Sequence, residues 1–254
     1  MSKLPKEHKF TDLSDYGRPI ARWIARGLKE TKFTPIHVTW LFVLSALISF
    51  LFMLEEYFWV AGFFLLLKSV LDAADGELAR IKETPSYTGR FFDSISDFVL
   101  NALLFIVITS ITEVPILFGI IAFLCMQLQG TLYNYYYTIL RTQVEGDTTS
   151  RIFENEVPTA FPGEKQQHVE RLYYLYRFLY GGFDKLIYYL DYNASRGPVL
   201  SNSFMTALSI FGLGFQLLLI SILLIIGLKE FVMLTIIGMT TLLPFFIVLR
   251  RRRG

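Results

Sequence analysis

The chain has 254 residues, 53% of them hydrophobic, with a mean hydropathy of +0.45 and a formal net charge of only +2. That apolar excess is far above a soluble domain and reads as an integral membrane protein. A single cysteine, Cys125, excludes an intrachain disulfide and reads as a small packing residue.

The first 35 residues hold no hydrophobic stretch behind the short basic start, so no removable signal peptide is expected. Within them, SDYGRPIARWIARGLKE puts Ile20, Trp23, Ile24 and Leu28 on one helical face and Arg18, Arg22 and Arg26 on another. Such a helix suits a lipid interface, and packing on protein is the competing use. Thr34-Pro35 then marks the turn into the first apolar run.

A spanning helix needs roughly 20 mostly apolar residues. Segments of that kind are expected at 36–55, 57–79, 91–111, 114–139, 203–227 and 230–249. The fold expected is therefore all-α, with six transmembrane helices and an N-terminal amphipathic interfacial helix. Residues 1–33 form the N-terminal segment and 34–254 the membrane domain. Lysines and arginines from Lys3 to Lys32, and Arg250 to Arg253 at the other end, outnumber the positive charges of the short loops on the opposite side. The positive-inside rule then places both termini on the cytoplasmic side.

The long polar interval 141–200 ends in an amphipathic pattern, with Leu172, Tyr176, Leu179, Phe183, Leu186 and Leu190 recurring every three or four residues. Its aromatic richness suits a membrane interface. A cation cage from Tyr173, Tyr174, Tyr176 or Tyr180 competes there with simple packing.

Between the second and third expected spans, LDAADGELARIKETPSYTGRFFDSISDF gathers Asp72, Asp75, Asp93 and Asp97. An ionised aspartate at the centre of a membrane helix costs about 2.5 to 3.5 kcal/mol. Asp72 and Asp75 are three apart and Asp93 and Asp97 four apart, so each pair shares a helical face. Arg80, the one arginine in the first half of the stretch, cannot neutralise four acids, and Lys68, one turn before Asp72, can either help or snorkel outward. Hard divalent cations fit an all-carboxylate stretch without His or Cys, and a two-metal site of Mg²⁺ or Mn²⁺ is expected. Ala73, Ala74, Gly76 and Ala79, with Gly89 one turn before Asp93, leave room for a ligand or a neighbouring helix. Counting about 1.5 Å per residue from Tyr57, the acids begin roughly 22 Å along the second span, near its inner end.

The pattern Asp72-x2-Asp75-Gly76-x2-Ala79-Arg80-x8-Gly89-x3-Asp93-x3-Asp97 resembles the signature of the CDP-alcohol phosphotransferases at every fixed position. The TPIHVT stretch, Thr34 to Thr39, is similar to the start of the first span in that family, with Ile36 where asparagine is usual. The resemblance implies an alcohol that attacks the phosphate remote from cytidine in a CDP-linked donor, releasing CMP. It makes Asp72, Asp75 and Asp93 metal ligands, and Asp97 the general base in contact with metal. It sets Gly76, Ala79, Arg80 and Gly89 beside the CDP moiety, and makes a homodimer an expectation.

The expected partners are the donor, an alcohol acceptor and membrane lipids, not nucleic acid, at a cytoplasmic-facing site. Arg141, Arg151, Arg171, Arg177, Lys185 and Arg196 favour an anionic acceptor, hence phosphatidyl transfer from CDP-diacylglycerol. The alternative is transfer of a headgroup phosphate from CDP-choline or CDP-ethanolamine to diacylglycerol. A cation transporter or channel is a remote alternative, because the acids lie at helix ends rather than midway.

Overall fold

The computed structural model describes residues 4–146 and 156–252; Lys3, Arg151 and Arg253 of the charge patterns above lie outside them. Among the described residues every regular element is helical. The α-helices are α1 (Arg18–Leu28), α2 (Pro35–Leu54), α3 (Phe58–Ile81), α4 (Tyr87–Thr112) and α5 (Ile116–Gln143). They continue with α6 (Gln166–Leu190), α7 (Asn202–Leu208), α8 (Leu213–Ile225), α9 (Val232–Met239) and α10 (Leu242–Arg252).

Among the described residues four stretches are long and apolar enough to cross a membrane: α2, α4, α5 and Lys229–Arg252. The segment Asn202–Phe211 with α8, bent by 51°, brings the number to as many as five. The second of the six expected spans does form one continuous helix, α3, of 24 residues. From Lys68 onward it carries Lys68, Asp72, Asp75, Glu77 and Arg80, and that charge keeps it out of the four. The last span is broken at Thr240 and Thr241, because Pro244 offers no backbone N–H and its ring crowds the carbonyl one turn earlier.

Apolar faces of α2, α3, α4, α5, α8 and α9 meet in one core around Phe42, Leu65, Leu104, Met126, Ile220 and Ile236. Gln129 and Gln216 inside this bundle are paired, as a water-free interior favours. Gln216 Nε2 donates to Gln129 Oε1 at 2.9 Å, and Gln129 Nε2 donates to the Ile236 carbonyl at 2.8 Å and to Thr240 Oγ1 at 2.7 Å. These bonds tie α8, α5 and α9 at one level.

The start of α2 is built as expected at Thr34-Pro35: Pro35 opens the helix and the Thr34 amide donates to His37 Nδ1 at 3.0 Å. Helix α1 lies across α3 through Ala21 and Ala25, both fully buried against Ala74 and Leu78, with Ile24 and Leu28 alongside. Ile20 and Trp23 remain exposed, so packing on protein uses the small residues and leaves two large apolar side chains outward.

Ahead of α1, the turn Leu13–Asp15 fits into the bend between α7 and α8. The Leu13 amide donates to Ser209 Oγ at 2.9 Å, and Tyr133 Oη donates to Asp12 Oδ2 at 2.5 Å. A side chain at Gly214 would collide with the Ser14 carbonyl, so glycine is what permits this close approach.

Helix α6 is amphipathic and packs beside α4 and α5. Val169 and Tyr173 are buried against Phe91, with Leu172, Tyr176 and Leu179 partly buried around them. Toward its end Ile187 turns inward, while Leu186 and Leu190 of the expected stripe are exposed. The four tyrosines do not converge: Tyr173 is buried, Tyr174 is exposed, and Tyr176 stacks on Tyr180 at 5.0 Å.

Beyond α6, the fully buried Asp191 accepts from Tyr136 Oη at 2.6 Å and Arg250 Nε at 2.7 Å, and from Arg251 Nε at 3.3 Å. One carboxylate thus joins α5, the end of α6 and α10. Removing one partner of a buried pair strands the other charge at a cost of about 3–5 kcal/mol. Asp191→Ala is therefore expected to lower the thermal unfolding midpoint of the detergent-solubilised protein, whereas Ala at the exposed Arg252 leaves it in place.

Candidate active site

The acids of α3 and α4 face one cavity of about 1250 Å³. Its wall includes all eight motif positions: Asp72, Asp75, Gly76, Ala79 and Arg80 from α3, and Gly89, Asp93 and Asp97 from α4. The helical spacing explains this directly, since residues three or four apart share a face, and α2 packs against both α3 and α4, so that both helices face the cavity.

Asp72, Asp75 and Asp93 each offer a carboxylate oxygen, and these oxygens lie within 4.8 Å of one another. Asp75 is buried, and Thr39 Oγ1 of α2 donates to its Oδ2 at 2.9 Å. Asp93 Oδ1 is buried with no hydrogen-bond partner in the protein. An orphaned carboxylate oxygen beside two further acids is what a hard divalent cation requires, so the donor set fits such an ion.

Asp97 lies on the same wall but outside that three-acid group. Its Oδ1 accepts a hydrogen bond from Lys68 Nζ, and Lys68 is also 3.8 Å from Asp72 Oδ2. Lys68 is fully buried, so of the two roles open to it in the sequence it takes the inward one.

Arg80 lies over the side-chain-free surface of Gly76, where an added Cβ would stand 3.6 Å from its guanidinium nitrogens. It also pairs with Glu77 at 3.4 Å, while its Nε is buried without a partner. Glu77 in turn accepts from Arg18 of α1 and lies 3.6 Å from Arg22. The arginine face of α1 is thereby tied to the rim of the site.

The other rim is held by the segment before α6. Glu164 accepts from the Thr88 amide at 2.7 Å, the Tyr87 amide at 3.1 Å, the Phe161 amide at 3.0 Å and Ser86 Oγ at 2.8 Å. Phe161 stacks on Tyr87 with centroids 4.8 Å apart. A carboxylate thus occupies the positive end of α4, where unpaired amides favour an anion. Tyr176, Tyr180 and Asp184 of α6 complete this side of the cavity. Arg141 reaches the cavity wall; Arg171, Arg177, Lys185 and Arg196 do not.

The CDP-alcohol phosphatidyltransferase family model matches residues 32–154. The chain is similar to this family over those 123 of its 254 residues. The match runs from the turn before α2 past the end of α5 and so contains all the motif residues and the Thr39 that braces Asp75. The apolar helices and the family match point to an integral membrane protein, and the matched family is one of CDP-alcohol transferases. A comparison with curated proteins found no match.

Three contributors escape the motif. Thr39 closes the TPIHVT stretch, and Lys68 is a single charge in an apolar run one turn before Asp72. Glu164 sits 75 residues beyond Gly89, in a polar interval where glutamate carries no signal at all.

Burial raises the Glu164 carboxyl, but the donors from Thr88, Ser86 and Phe161 outweigh it and hold the group below the usual glutamate range. A lowered pKa in the folded state stabilises above the unfolded value, about 4.3, and that contribution is lost as pH falls through the lower folded value. Protection of residues 157–165 from proteolysis is accordingly expected to fall as the pH is taken below about 4. Glu164→Gln should lower that protection at neutral pH and flatten its acid dependence.

Proposed function

We propose that the protein transfers a phosphatidyl group from CDP-diacylglycerol to a polar alcohol, in a metal-dependent reaction that releases CMP. The observation that carries this reading is the convergence of Asp72, Asp75 and Asp93 on one cavity wall, with Asp97 one turn further along α4. Asp72, Asp75 and Asp93 would hold the cation, Mg²⁺ or Mn²⁺. A divalent ion held there would supply positive charge to offset that of the diphosphate.

The chain's own groups supply the remainder. Gly76 and Ala79 let the cytidine end lie against α3, and Arg80 is placed to meet a phosphate oxygen. Asp97 has one oxygen bonded to Lys68, so its second oxygen is the one that takes the acceptor's hydroxyl proton. The acceptor oxygen then forms the new bond to the lipid-bearing phosphorus, the bond from that phosphorus to the bridging oxygen breaks, and CMP departs with the electron pair. Arg141 on the wall supports an acceptor or donor carrying negative charge. Basic residues at both termini support a cytoplasmic-facing site.

Asp97→Asn is expected to lower turnover by about 10²- to 10⁴-fold, the usual worth of a positioned base, with donor binding largely kept. Asp75→Asn should weaken activity and its metal dependence together, and an unchanged metal titration would remove Asp75 from the ligand set. A radiolabelled panel of CDP-linked donors tests the donor: turnover with CDP-choline or CDP-ethanolamine alone would replace this reading by headgroup-phosphate transfer to diacylglycerol.

A further inference from the structure

Lys68 stands in the apolar run FFLLLKSV, four residues before Asp72. Its flexible stem would allow the ammonium group to reach a polar boundary. Instead it turns into the bundle, with 1% of its surface exposed. Nζ bonds Asp97 Oδ1 of α4, lies 3.8 Å from Asp72 Oδ2 of α3, and sits 5.0 Å from the centre of the Phe42 ring of α2. It is not on the cavity wall. The cation therefore touches the acids from behind, where neither donor nor acceptor reaches it.

A single positive charge is thus shared by one acid of the metal-holding group and by the acid placed to take the proton. We propose that Lys68 is a positioning residue: a tethered counter-cation that fixes the Asp97 carboxylate and limits the negative charge that the four acids present to divalent ions. The assignment rests on the metal-dependent transfer reading above.

Two consequences follow with opposite signs. Without the ammonium charge the cluster is more negative and attracts a divalent cation more strongly. Without its hydrogen bond Asp97 loses its fixed orientation, and proton transfer slows. A lysine that served only packing would change neither quantity, and one needed only for folding would weaken both.

The test uses the purified full-length protein in detergent. Mn²⁺ binding is titrated by electron paramagnetic resonance without substrate, and CMP release from CDP-diacylglycerol is measured in parallel over a panel of polar alcohols. Lys68→Met is expected to bind Mn²⁺ about tenfold more tightly and to turn over about a hundredfold more slowly. Lys68→Gln keeps a donor without the charge, so it should show the same tightening with a smaller loss of turnover. Lys68→Arg keeps the charge and should hold Mn²⁺ near the wild-type affinity.

Unchanged or weakened Mn²⁺ affinity in the neutral variants overturns the proposal, and if Lys68→Met does not fold, Lys68→Gln decides it alone. Failure of both neutral variants to fold makes the lysine a folding element and overturns it equally. If the wild type binds Mn²⁺ but releases no CMP from any CDP-linked donor, the transfer reading fails, while the Mn²⁺ titrations still judge Lys68.

Discussion

Mutual repulsion among four carboxylates inside an apolar helix bundle is the constraint around which this molecule is organised. Two helices bring the acids to one wall because their spacing leaves no other face for them. The charge then has to be met from all sides at once. Thr39 reaches Asp75 from α2, Lys68 bridges Asp97 and Asp72 from within α3, and an unpartnered oxygen on Asp93 is left for an ion. Each device answers the same cost of charge in a medium that screens it poorly.

A second ring of charge surrounds the first without mixing with it. Glu77 points to the side where Arg18, Arg22 and Arg80 gather, so α1 is fixed by ion pairs as well as by the Ala21 and Ala25 contact. Glu164 does the corresponding work on the opposite rim by occupying the start of α4. Because a protein carboxylate already fills that positive helix end, the proposed reaction would meet a donor's diphosphate elsewhere, with Arg80 and with a cation held by the acids.

Much of this was legible in the sequence, for identifiable reasons. Long apolar runs have only helices as a solution in lipid, so α2, α4 and α5 follow from hydropathy. The aspartate spacing is a statement about helical faces and needed no tertiary information. The parts that were hidden depend on distant partners. The inward turn of Lys68 depends on Asp97, 29 residues away, and the seat of Glu164 depends on the start of α4. The breaks at Gly212 and at Thr240–Thr241 interrupt stretches whose hydropathy alone reads as continuous spans. Interval 141–200 supplied many candidate cations, yet only Arg141 of the described ones reaches the cavity, because α6 lies along the bundle with its remaining basic residues elsewhere.

The seat of the Leu13–Asp15 turn bears on how the chain is assembled. Its partners are Tyr133 and Ser209, the latter 196 residues from Leu13, with Gly214 opening the space for Ser14. This segment is made before its partners and has no place to settle until most of the later helices are in place. Its docking is therefore a late closing step of biogenesis, and the N-terminal arm stays accessible to insertion factors or proteases until then.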